Sequence, residues 1–147
     1  MGSTGTGNVA LTQYGRNTES YKSLFPMPAN VDEANEIARF NFRIGQYENI
    51  GKTSAGDLQE KTVNLNQLSN SQLDVNKAKV DSLMQLGIKG IQDIQSRGTT
   101  SDIPYVIKYG NTYMIQDGHH RLTAMKALGA KTAKVKVLDL EKYMKGR

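Results

Sequence analysis

The chain has no cysteine, three prolines and two histidines in 147 residues. Without cysteine there are no disulfides, no thiolate catalysis and no cysteine metal site. That absence agrees with a reducing compartment, and a cytoplasmic location is the expectation. Two histidines are too few for a histidine-rich zinc site. No apolar run approaches the ~18 residues needed to cross a bilayer, so no membrane partner is expected. The opening "MGSTGTGNVALTQYG" lacks the basic start and apolar stretch of a signal peptide. The basic C-terminal region also lacks the interleaved aromatics that stack on single-stranded bases.

What is present suits one soluble globular domain with an attached arm: 37% hydrophobic and 22% charged residues. A chain of this size buries roughly two-thirds of the surface that it exposes when unfolded. The net charge of +5 is unevenly placed. From His119 to Arg147 eight Lys/Arg stand against two acids, a balance of +6; residues 1–118 hold eleven against twelve, a balance of −1. Such a block suits an anionic partner, whether nucleotide, nucleic acid or phosphorylated ligand. It equally suits a solvated basic face.

Residues 1–60 read as an extended N-terminal arm with one helix near 31–45. Gly, Thr, Ser and Asn dominate the first thirty residues, and "FPMPAN" places Pro26 and Pro28 where a helix cannot run. Such a segment is either disordered or held by a partner surface, and residues 1–30 are the expected contact with a partner protein. Val9, Leu11, Tyr14, Tyr21, Leu24 and Phe25 are its docking anchors. The helix opens at Asn30, with Glu33 in the position of a capping box. Its stripe is Ala34, Ile37, Ala38, Asn41 and Ile44, with Phe40 close by. "YENIGKTSAGDLQEK" reads as a linker broken by Gly51 and Gly56.

Residues 61–147 read as an α+β domain, a small mixed β-sheet with packed helices in the order β–α–α–β–β–α–β. "TVNLNQL" alternates as a short strand. "NKAKVDSLMQLG" is a helix with Val80, Leu83 and Met84 on its buried side. After Gly87, Ile88, Ile91 and Ile94 mark a second short helix closed by Gly98. "PYVIKYGNTYMIQ" is a hairpin about a Gly-Asn turn, the strongest local signal. "HHRLTAMKALG" is a helix burying Leu122, Met125 and Leu128 and stopped by Gly129. "AKVKVLDL" is a last strand with Val135 and Val137 inward, and Lys134 and Lys136 outward.

Both histidines fall in "QDGHHR", where the hairpin enters a helix. A helix start offers unpaired N–H groups and the positive end of its dipole, a natural phosphate site. Gly118 lets the backbone turn and a ligand come close. Arg121 offers a bidentate fork to phosphate oxygens. His119 or His120 suits a phosphate donor or a general acid–base group. Asp117 suits holding a histidine, taking a proton from a hydroxyl, or meeting Mg²⁺ through its water shell. The candidate catalytic residues are thus Asp117, His119 and His120; the candidate phosphate- or nucleotide-binding residues are Gly118, His119, His120 and Arg121. Each also has a structural reading: Asp117 as helix cap, Gly118 as turn, one histidine as a packing group, Arg121 paired with an acid. Adjacent histidines point about 100° apart on a helix, so they do not chelate one metal, and no resident metal is expected.

The stretch from about Val63 to Leu140, with "IPYVIKYGNTYMIQDGHHRLTAMKALGAKTAKVKVL" at its centre, resembles the ParB/sulfiredoxin fold. "LSNSQLDVNKAKVDSL" resembles the opening of ParB-like nuclease domains, including those of phage head-associated proteins. The resemblance covers roughly 80 residues and is more specific for fold than for activity. Sulfiredoxins hold a catalytic cysteine where His119 stands, so their redox chemistry is excluded. Chromosome-partition ParB proteins bind and hydrolyse CTP and continue into a helix-turn-helix domain, which is not expected after Arg147. Free-serine kinases of this fold hold nucleotide phosphates at the same turn, but their second catalytic glutamate has no assignable counterpart. The resemblance implies nucleotide or nucleic-acid phosphate binding at Gly118–Arg121, with Mg²⁺ arriving on a nucleotide and hydrolysis as the reaction. Its alternatives are a virion-associated phage protein with a vestigial site, held by its arm, and a small-molecule kinase.

Overall fold

A computed structural model describes residues 10–13, 19–47, 58–97 and 103–145. Strand β1 (Ser20–Lys22) is followed by helix α1 (Val31–Tyr47), strand β2 (Leu58–Asn64), a 3₁₀ turn (Leu65–Gln67), and strands β3 (Leu68–Ser69) and β4 (Asp74–Asn76). Helix α2 (Lys77–Arg97), the hairpin β5 (Tyr105–Tyr109) and β6 (Thr112–Asp117), helix α3 (His119–Ala127), strand β7 (Thr132–Asp139) and helix α4 (Leu140–Lys145) complete the order. The main sheet is mixed, in the order β2-β7-β5-β6-β3; β7 and β5 run parallel, as do β6 and β3. Strands β1 and β4 form a separate antiparallel pair. An α+β architecture on a mixed sheet is thus present.

Strand β5 sits at the centre with both faces covered, which explains the consecutive apolar residues Tyr105, Val106 and Ile107. On one face Val106, Ile115, Val135 and Val137 pack with Val80 and Ile91 of α2, Leu122 and Met125 of α3, and Phe25. On the other, Tyr105, Ile107, Met114 and Leu138 pack with Ile37 and Phe40 of α1 and with Leu140. The described part of the expected arm therefore belongs to the body of the fold. Leu11 and Tyr21 lie against the first cluster and Phe25 is inside it; Val9 and Tyr14 lie outside the described residues. Of the expected anchors, Leu11, Tyr21 and Phe25 thus pack on their own chain.

Local differences have local causes. Asn30 caps α1 by accepting the Glu33 N–H at 3.0 Å. The Glu33 carboxylate leaves the cap for the β5–β6 turn, where Oε1 accepts from the Asn111 N–H at 3.3 Å and the Thr112 hydroxyl at 2.8 Å. Gly110, at φ 61°, admits this carboxylate, which would collide with any Cβ there. Of the expected stripe of α1, Ile37 and Phe40 are buried and Ala34 partly so, whereas Ala38 is exposed; the side chains of Asn41 and Ile44 lie outside those described. The alternation in "TVNLNQL" ends early because Asn64 caps a 3₁₀ turn, accepting the Asn66 N–H at 2.8 Å. Leu65 and Leu68, three apart, are then both buried. The expected linker overlaps β2 from Leu58 to Lys61; Gly51, Gly56 and Gly98 lie outside the described residues. Gly87 interrupts α2 at φ 74° and ψ 171°, as two helices in sequence require. Gly129, at φ 97°, ends α3.

Because Phe25 and Ile37 cover opposite faces of one sheet, Phe25→Ala and Ile37→Ala should each lower global stability by roughly 2–5 kcal/mol. Urea unfolding followed by circular dichroism checks this. An unchanged midpoint would mean that these residues lie outside the cooperative unit.

Candidate functional site

The site is built where β6 hands the chain to α3. Tyr105 pairs with Asp117 but Val106 pairs with Ile115, so Gln116 is an extra residue that bends β6 just before Asp117. Gly118 follows at φ 83° and serves as the N-cap of α3, without any side-chain cap bond. Asp117 is therefore the exposed end of a strand and not the helix cap. A Cβ on Gly118 would lie 2.6 Å from Pro104 Cβ and 2.8 Å from its Cα. The close approach that glycine permits here is made by the protein's own backbone.

The two histidines part company at once. His119 is 4% exposed, with Nε2 3.0 Å from Ser23 Oγ and its ring edge-on to Phe25 at 5.9 Å between centroids. Its Nδ1 is buried without a partner. A buried unpaired N–H is costlier than an unpaired acceptor, so the ring proton is assigned to Nε2, facing Ser23. Burial, reinforced by His120 alongside, lowers the His119 pKa to about 4. His120 is half-buried, and its Nε2 accepts the Asn76 N–H at 3.0 Å. That bond puts its proton on Nδ1; burial and the Lys79 charge hold its pKa below the ordinary value.

Beside this turn lies a cleft of about 530 Å³, a size that suits a small organic ligand. Asp117, Gly118, His120 and Arg121 line one side, and Ala78, Lys79 and Ser82 from the start of α2 line the other. Leu83, Ile103 and Pro104 give it an apolar wall. The N-terminal turns of α2 and α3 thus meet across one opening, bridged by the His120–Asn76 bond. Both present the positive ends of their dipoles there, beside two cationic side chains and one carboxylate.

Of the five residues expected at the site, four line the cleft, and His119 is packed in the core. Expected in catalytic and phosphate-binding roles, His119 lies buried outside the cleft lining, with its polar edge covered by Ser23 and Phe25. Lys79 and Ser82 were not anticipated. The local signal was Asn76, which caps α2 by accepting the Lys79 N–H at 3.0 Å, but nothing in the sequence ties that cap to a turn forty residues later. Of the basic C-terminal block Arg121 lines the cleft, whereas Lys126 Nζ donates to the Leu24 carbonyl at 3.2 Å and Lys134 lies 3.8 Å from Glu60. Among the described residues no group of three or more His, Asp or Glu side chains could hold a metal ion, and no helix is long and apolar enough to cross a membrane. No protein-family model, no curated protein and no solved structure matches this chain.

Two outcomes follow from this geometry. Gly118→Ala combines a left-handed backbone with a contact on Pro104, and should cost roughly 1–3 kcal/mol in urea unfolding while removing the cleft's turn. The second concerns pH. The native His119 ring titrates at about 4 and an unfolded one near 6.5, so unfolding takes up a proton between these values. Stability is full above about pH 6.5 and falls as pH drops towards 4, by about 3 kcal/mol from this residue. Unfolding free energies measured from pH 7 to pH 4 should show the slope, and His119→Gln should flatten it.

Proposed function

We propose that the cleft between the starts of α2 and α3 binds the phosphate of a nucleotide or nucleic acid, as a ParB-like module. The observation that carries this reading is the convergence of Lys79, His120 and Arg121 on the Gly118 turn. Two helix N-termini and two cationic side chains favour a dianionic group, and Arg121 suits its planar pairs of oxygens. His120, with its proton on Nδ1, is the neutral donor of the set. The wall of Leu83, Ile103 and Pro104 suits the body of an organic phosphate better than an inorganic ion. The resemblance of the Val63–Leu140 stretch to ParB-like nuclease domains supports the same reading.

Hydrolysis is the reaction that this reading implies. Asp117, exposed at the rim, is the group available to take a proton from water, and Mg²⁺ would arrive on the nucleotide's phosphates. Transfer to a hydroxyl substrate instead of water would mark the kinase reading.

Thermal denaturation with Mg²⁺-nucleotides and with a DNA oligonucleotide tests the site. A ligand at a hundred times its Kd should add about 2.7 kcal/mol to stability. Arg121→Ala and Lys79→Ala should each weaken binding by roughly 1.5–3 kcal/mol, the range of a charge-assisted hydrogen bond. A wild-type chain that gains no stability from any of these ligands would end this reading. If binding holds, Asp117→Asn should abolish phosphate release while leaving affinity nearly unchanged.

A further inference from the structure

We infer that the segment Ser23–Pro26 is an acid-released latch, closed on the first turn of α3 by His119 and separable from the anchor that holds β1. This inference does not depend on what the cleft binds. The segment crosses α3, tied at its start by the Ser23 N–H donated to the Leu73 carbonyl at 2.8 Å, a backbone bond that continues the β1–β4 pairing. Ser23 Oγ faces His119 Nε2 at 3.0 Å and accepts the Phe25 N–H at 3.2 Å. Phe25 lies edge-on to the imidazole, with Lys126 Nζ 4.8 Å from the centre of its ring. Lys126 also donates to the Leu24 carbonyl. Asn70 closes the far end, its Nδ2 donating to the Phe25 carbonyl at 2.5 Å and its N–H to the Pro26 carbonyl at 2.9 Å.

This closure tolerates only a neutral His119. A second proton must go on Nδ1, which is buried and has no acceptor. His120 acts on the ring electrostatically and Lys126 lies over the Phe25 ring that packs on it, and both are cationic when charged. From β4 and α2, Lys79 acts on His120, while Asp117 and Arg121 share the cleft that His120 lines. His119 therefore becomes charged only when the latch lifts and water reaches the ring. Between pH 6.5 and 4 each unit of acidification favours the lifted form about tenfold, since it binds the proton and the closed form does not.

The anchor of β1 lies outside this chemistry. Tyr21 donates to Asp81 Oδ1 at 2.5 Å, and Lys77 Nζ donates to Oδ2 at 2.7 Å. These two donors hold the Asp81 carboxylate below its ordinary range, so it stays charged throughout the window in which the histidine titrates. The β1–β4 pairing, and the Lys77 N–H donated to the Glu19 carbonyl at 2.7 Å, remain in place. Acid should open residues 23–26 and leave residues 19–22 docked, uncovering Phe25 and the His119 ring together.

Amide hydrogen exchange on the whole chain, resolved by residue and corrected for intrinsic rates, tests this between pH 7 and pH 4.5. Protection of the Phe25 and Asn70 amides should lie below that of Lys77 at every pH, and should fall about tenfold per pH unit below 6.5. His119→Gln should remove this pH dependence. Ser23→Ala should lower the protection of Phe25 and Asn70 at every pH yet keep the slope, because the ring stays buried under Phe25. The inference is overturned if Asn70 and Lys77 have equal protection at every pH, which would mean that they open together, or if the slope survives in His119→Gln.

Discussion

A strand buried on both faces demands two layers, and β5 imposes that demand on the whole chain. Tyr105 and Ile107 need cover on one side, Val106 on the other. Helices α2 and α3 supply one layer, and the second comes largely from α1, which lies far upstream in sequence. The N-terminal segment must therefore pass round the sheet, leaving Phe25 on one face and Ile37 and Phe40 on the other. Between Ser20 and Val31 its polar, proline-bearing composition describes a segment that crosses from one layer to another.

The same crossing shapes the candidate site. By covering His119 the segment takes one histidine out of chemistry, and by pairing β1 with β4 it steadies the strand whose end feeds α2. His120 then joins that end to α3 through the Asn76 N–H. The paired histidines divide a structural task between them: one holds the N-terminal segment, the other holds two helix starts at the spacing that makes the cleft. What remains exposed to a ligand is the glycine turn, one imidazole edge and the cations of two different helices.

Much of this was legible in the sequence. The Gly-Asn hairpin, the helix stop at Gly129, the break at Gly87 and the inward valines of the last strand follow from backbone chemistry and period. Asp117, Gly118, His120 and Arg121 fall together because they are contiguous across one turn. What local pattern hid was contact at a distance. Lys79 reaches the cleft only because α2 packs beside α3, and Glu33 looked like a cap because its partner at the hairpin turn lies 78 residues away. His119 resembled a site residue because the sequence does not show that Ser23 and Phe25 lie on it. "TVNLNQL" was ambiguous in itself, since leucines three apart serve a 3₁₀ turn as well as alternation serves a strand.

The grip on the β5–β6 turn carries a consequence for the order of assembly. The Gly110 N–H is answered at 3.1 Å by Glu141 of α4, while Asn111 and Thr112 are answered by Glu33 of α1. One two-residue turn is thus clasped by carboxylates from near both ends of the chain. On a ribosome the hairpin can form as soon as Asp117 is made, but its turn lacks one donor's partner until α4 has emerged. The turn is therefore completed after its own strands, although the hairpin that carries it closes on local contacts alone.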